Sequence, residues 1–137
     1  MKNKINNYDF LIVGAGLIGS LTALALLNKK FRVLVIDNSN LNISDNRTLA
    51  VNANSRDFLK NLGIWSKLKK NEPINKIIIK DNINSDVLEF FDQKESMGSV
   101  VYNKDILEIA HRELIKRRCI IKNFNISISG LSSNKKV

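Results

Sequence analysis

Cysteine, histidine and aromatic side chains are scarce in this 137-residue chain, and each scarcity removes a class of explanation. With Cys119 as the sole cysteine no internal disulfide can form, which suits a reducing compartment such as the cytoplasm. It follows Arg117 and Arg118, whose charges could favour a thiolate, but it also opens the apolar run Cys119-Ile120-Ile121 and reads as a buried strand residue. The sole histidine, His111, stands among charged helical neighbours with no second ligand type at metal spacing, so a surface side chain and no metal site are expected. Aromatics make up 7% of the chain and are not interleaved with the scattered lysines and arginines, so the net charge of +9 does not describe a nucleic-acid-binding stripe. A basic adaptor of that kind would betray itself by steeply salt-dependent retention on DNA. The remaining use for the charge is attraction to an anionic membrane surface. Internal repeats and long linkers are absent, and 44% apolar with 26% charged residues describes one globular domain with a real core, not two domains.

The segment from Asp9 to Asp37 carries the chemistry. An apolar run, Phe10-Leu11-Ile12-Val13, leads into Gly14-Ala15-Gly16-Leu17-Ile18-Gly19; a helical segment runs to about Lys30, and a second apolar run, Val33-Leu34-Val35-Ile36, stops on Asp37. This is the strand, glycine turn, helix, strand, acid order of a dinucleotide-binding unit. Gly14 permits the tight turn, Gly16 lets a pyrophosphate approach the backbone, and Gly19 lets the helix lie close on the sheet. The free amides of the helix's first turn, with the positive end of its dipole, then face the phosphates. Asp37, 18 residues after the last glycine, would bond an adenosine ribose and repel a 2′-phosphate, favouring FAD or NAD over NADP. A nucleotide-free α/β unit with a glycine turn would share the triplet but has no need of the acid.

A membrane or export signal is the rival, because Phe10 to Leu27 is an 18-residue stretch without a charge. Gly14, Gly16, Gly19, Ser20 and Thr22 dilute it, no convincing cleavage site precedes Asn28, and a span would leave the strand pattern at Val33 to Ile36 unexplained.

Downstream, Asn38 to Asn46 is polar and reads as a loop closed by Arg47, whose guanidinium can grip a phosphate bidentately or simply be solvated. Asn54 or Ser55 can cap a helix with Phe58, Leu59 and Leu62 on one face; Gly63 supplies a left-handed stop, and Ile64 and Trp65 pack beneath. Ile74 to Lys80 and Val87 to Phe91 read as a hairpin, and Met97 to Tyr102 as a strand entering a helix capped by Asn103. Ile106, Leu107, Ala110, Leu114 and Ile115 are expected on that helix's buried face, with Lys116, Arg117 and Arg118 at its negative end, worth roughly 0.3–1 kcal/mol per charge. Cys119 to Lys122 then reads as a parallel strand. In the tail, Ile126 to Ser129 alternates, a turn follows at Gly130 to Asn134, and the pattern stops where a returning strand should begin.

In order and spacing, Asp9 to Gly19, Asp45-Asn46-Arg47-Thr48-Leu49-Ala50, Leu62-Gly63-Ile64-Trp65 and Met97 to Asn103 resemble the N-terminal part of the flavin-dependent aromatic hydroxylases, in particular the branch acting on ubiquinone precursors. The resemblance implies a Rossmann-like FAD-binding βαβ unit with an added hairpin, α/β in class, with residues 1–137 as a partial FAD-binding domain and no substrate domain. It implies that Gly14, Ala15, Gly16, Leu17, Ile18, Gly19 and Asp37 hold the ADP half of FAD and that Arg47 reaches its phosphates. Asn103 and Lys104 would fall on the flavin side. In such enzymes NAD(P)H reduces the flavin, which uses dioxygen to hydroxylate an electron-rich ring. None of the residues present would act as a catalytic base. The family also carries later Asp-Gly and Gly-Asp motifs, and neither dipeptide occurs here. The chain therefore reads as an N-terminal fragment inactive alone, either a piece of a split or degraded reading frame or one piece needing a second chain with the missing half, cytoplasmic and at most peripheral to the inner membrane face. The alternative is a self-contained NAD-binding module or a shortened NAD-dependent dehydrogenase.

Overall fold

The computed structural model describes residues 7–38, 46–81, 87–92 and 95–121. Strand β1 (Phe10–Val13), helix α1 (Leu17–Asn28) and strand β2 (Val33–Ile36) form the expected βαβ unit. β1 and β2 pair in parallel with Phe10 opposite Val33 and Val13 opposite Ile36. The 18-residue uncharged stretch is thus divided among a strand, a turn and a 12-residue helix. No helix among the described residues is long and apolar enough to cross a membrane.

Beyond β2 come strand β3 (Thr48–Asn52), helix α2 (Ala53–Asn61), a 3₁₀ turn at Trp65–Lys67, and strands β4 (Glu72–Ile74), β5 (Lys76–Lys80), β6 (Val87–Phe91) and β7 (Gly98–Tyr102). Helix α3 (Asn103–Lys116) and strand β8 (Ile120–Ile121) follow. Among the described residues three sheets result: β1-β2-β8, all parallel; β3-β7-β4, antiparallel; and the β5-β6 hairpin. Two of these strands, β3 and β4, lie outside the sequence expectation. Leu49 and Val51 alternate with exposed neighbours in β3, a short signal beside a polar loop, while Pro73 argues against a strand unless it sits at a sheet edge, where β4 is.

The core joins the two larger sheets through α1 and α3, with Leu24, Val35, Ile64, Val101, Ile106 and Leu114 fully enclosed. α1 is apolar on nearly all sides because it lies between the parallel sheet and α3. α2 is capped by Asn52, whose side chain accepts from the Ser55 amide at 2.8 Å, two or three residues before the expected cap. Gly63 has φ +69° and ends α2 as expected. In α3 the buried set is Asn103, Ile106, Ile109, Ala110, His111 and Leu114; Leu107 is only half-buried and Ile115 is exposed, so the buried stripe is rotated from the expected one. Asn103 is the first helical residue rather than the cap, which is Tyr102.

Among the described residues, apolar surface is open on β1 and on the hairpin. β1 pairs only with β2 among the described strands, leaving Leu11 and Val13 exposed. The hairpin pairs Ile77 with Phe90 and Ile79 with Leu88, so these four exposed apolar side chains share one face. The residues of the polar loop at 39–45 and of the tail at 122–137 lie outside the described residues, and with them the expected alternation at Ile126 to Ser129.

Candidate functional site

The parallel register of β1 and β2 ends both strands at one level, so the turn after Val13 meets the residue after Ile36. Gly14 takes φ +101°, a conformation that disfavours any residue with a Cβ, and its amide donates to the Ile36 carbonyl at 2.8 Å. Asp37 lies across from it, and its Oδ2 accepts from the Ala15 amide at 2.5 Å. The carboxylate therefore stands beside the glycine turn, not out in solvent.

Ala15 is the buried pivot of the turn at 1% exposure. Its carbonyl oxygen accepts from Ser20 Oγ at 2.9 Å and lies 2.5 Å from His111 Nε2. The expectation of a surface histidine is overturned: His111 is 6% exposed, carried in by α3 where that helix packs on α1. The missed signal was positional, since His111 lies three residues before Leu114, on the inward stripe. The charged neighbours Arg112 and Glu113 point elsewhere because a helix turns about 100° per residue.

Gly16 precedes α1 with φ −66° and ψ −175°, and no side chain caps the helix there. A Cβ built on Gly16 would meet nothing within 4 Å, so the backbone is open to an approaching group. At Gly19, a Cβ would overlap the Gly14 carbonyl oxygen, which makes this glycine a condition of the helix lying on the strand end. Leu17 and Ile18 form the first turn with Gly19; Ile18 is exposed, and no acidic residue sits in that turn to offset the positive end of the dipole. The first-turn amides have no i−4 carbonyl within the helix to bond. An open backbone cradle, uncompensated amides and a carboxylate one strand away fit the ADP half of a dinucleotide.

Arg47 sits elsewhere, at the start of β3, where its carbonyl accepts from the Asn103 amide at 3.0 Å and so ties β3 to the beginning of α3. Asn103 precedes His111 by eight residues, so the Arg47 and Asn103 junction lies roughly 12 Å along the α3 axis from the glycine turn. Lys104 places its Nζ 5.3 Å from the centre of the Tyr102 ring at the same helix end.

Two other groups lie away from the turn. Asp9, at the opposite end of β1, is held down to about 2 from the usual 3.8 by the Arg32 side chain and then the Arg32 amide, with Arg32 Nη2 at 2.7 Å and its amide at 2.7 Å. Cys119 is buried as expected, its thiol 3.2 Å from the Leu114 carbonyl, and burial pushes its pKa up.

Residues 7–118 match the family model described as the FAD binding domain. The mitochondrial ubiquinone biosynthesis monooxygenase COQ6 of Dictyostelium discoideum is 25% identical over 125 residues, covering 74% of this chain and 25% of the relative. The same enzyme of Caenorhabditis elegans is 26% identical over 129 residues, covering 82% of this chain and 29% of the relative. Among solved structures, p-nitrophenol 4-monooxygenase PnpA from Pseudomonas putida DLL-E4 superposes with a TM-score of 0.66 at 18% identity, over 83% of this chain and 31% of that one. That likeness concerns the fold. The chain spans between a quarter and a third of the length of these relatives.

Proposed function

Given that the chain belongs to the FAD-binding-domain family, we propose that it is the nucleotide-holding front portion of a flavin-dependent monooxygenase that hydroxylates the aromatic ring of a quinone precursor. The observation that carries this reading is the glycine turn itself, with Gly16 open, Gly19 locked against Gly14 and the Asp37 carboxylate on the Ala15 amide. In this reading Gly14, Ala15, Gly16, Leu17, Ile18 and Gly19 form the diphosphate cradle, Asp37 bonds the adenosine ribose, and Arg47 reaches the phosphates from the start of β3. The names of the COQ6 relatives support the ring and the pathway. Bound FAD would supply the redox chemistry, with NAD(P)H as reductant; the residues here bind, orient and shield it.

In this reading the chain alone does not turn over. The exposed Leu11 and Val13 of β1 and the apolar hairpin face are surfaces a second chain carrying the remaining site would cover. The lone cysteine supports a reducing cytoplasm, and the net charge of +9 supports weak attachment to an anionic membrane face. Titration with FAD and, separately, with NADH tests the proposal. Saturable quenching of flavin fluorescence with no NADH binding supports it; NADH binding without flavin affinity would instead mark a self-contained NAD module. Sustained NADH oxidation by the purified chain would refute its inactivity alone.

A further inference from the structure

The buried His111 has no part in the ADP contacts just described, yet its ring nitrogen meets the turn that makes them. Ala15 is held on both sides: Asp37 takes its amide, while Ser20 Oγ and His111 Nε2 meet its carbonyl oxygen. A carbonyl oxygen can only accept, so His111 Nε2 must carry the proton in this contact, and the two donors occupy both lone pairs. The Ala15 carbonyl is thereby fixed toward the core. In a trans peptide the next N–H points opposite to that carbonyl, and no cis bond occurs among the described residues. The Gly16 amide is therefore turned away from the core, on a residue whose own Cβ position has no neighbour within 4 Å.

We infer that His111 is a positioning residue for the cofactor turn: with Ser20 it saturates the Ala15 carbonyl and so aims the Gly16 amide at the place a diphosphate occupies. The inference rests on the FAD reading for its consequence but not for its geometry. It links α3 to the phosphate cradle through one hydrogen bond, across 96 residues of sequence. The ring does not touch the cofactor; it acts through the peptide plane between Ala15 and Gly16.

The experiment has an arm that needs no flavin. Because His111 is the sole histidine, ¹⁵N labelling gives one pair of imidazole resonances without assignment by mutation. A protonated Nε2 whose proton exchanges slowly with water is expected; an Nδ1–H tautomer with bare Nε2 overturns the inference. In the second arm, His111→Leu keeps bulk and removes the donor, whereas His111→Gln keeps an N–H donor. His111→Leu should weaken FAD binding about tenfold and speed amide exchange at residues 14 to 19 by a similar factor, with exchange in β2 unchanged, while His111→Gln should recover most of both. Equal affinity and equal exchange in wild type and His111→Leu would overturn it. If wild type fails to bind FAD, the functional proposal falls, but the tautomer and exchange readings still decide the role of His111. Should His111→Leu fail to fold, the tautomer and the Gln variant decide it.

Discussion

Gly16 and Gly19 lie three residues apart in one motif, yet alanine should act at them in opposite ways. At Gly19 the added methyl would overlap the Gly14 carbonyl oxygen and stand 3.2 Å from its carbon and 3.4 Å from Ile12 Cγ2. The first two are backbone atoms that cannot rotate aside, so α1 must lift off the end of β1 and loosen the packing of Ser20, Ala23 and Leu24. Overpacking against backbone costs about 3 kcal/mol, and the better helix propensity of alanine returns about 1 kcal/mol. The net loss is about 2 kcal/mol, or roughly thirtyfold in the folded-to-unfolded ratio, which lowers a urea midpoint by about 1 M. At Gly16 the same methyl meets nothing and φ is −66°, so stability should stay within about 1 kcal/mol of wild type. The methyl would instead stand where the diphosphate approaches, and FAD affinity should fall about tenfold. Urea unfolding followed by tryptophan fluorescence, with Trp65 as the sole reporter, gives the first quantity, and flavin quenching gives the second. A Gly19→Ala protein with the wild-type midpoint would refute the close-approach argument. A Gly16→Ala protein that binds FAD as tightly as wild type would refute the cradle.

Three further outcomes follow from the structure. The Asp9 carboxyl is depressed from 3.8 to about 2 in the folded state, so its pairing with Arg32 contributes in full above about pH 4 and is lost as pH falls toward 2. The Tm gap between wild type and Asp9→Asn should therefore be constant from pH 5 to 8 and close between pH 4 and 2; a gap persisting at pH 2 would contradict this. Lys30 occupies φ +68° just after α1, so Lys30→Gly should stabilise the protein by about 0.5–1 kcal/mol in urea unfolding, and a destabilised variant would contradict the backbone argument. Cys119 should resist a disulfide reagent at pH 8 until the protein unfolds, given its burial and raised pKa; modification of the native protein within the mixing time would refute that.

Much of the nucleotide unit was legible because its signals are local. Gly14, Gly19 and Gly63 answer to backbone needs that neighbouring residues impose, and the apolar runs at Phe10 to Val13 and Val33 to Ile36 declare parallel strands by composition, of which only the second is buried. β3 and β4 were less legible because each is short and draws its stability from β7, more than twenty residues distant in sequence. The shifted buried stripe of α3 has the same origin, since α1 and the second sheet select which apolar side chains are covered.

The sequence by itself determined the order of strand, turn, helix and acid, and hence the class of ligand, because turn geometry and helix dipoles depend on residues adjacent in the chain. Only the tertiary structure decided that a histidine 96 positions away reaches the Ala15 carbonyl and that Asp37 bonds the Ala15 amide. Those contacts depend on how α3 seats against α1 and on the register of β1 with β2. Both are set by side-chain packing between distant segments, which no local pattern encodes.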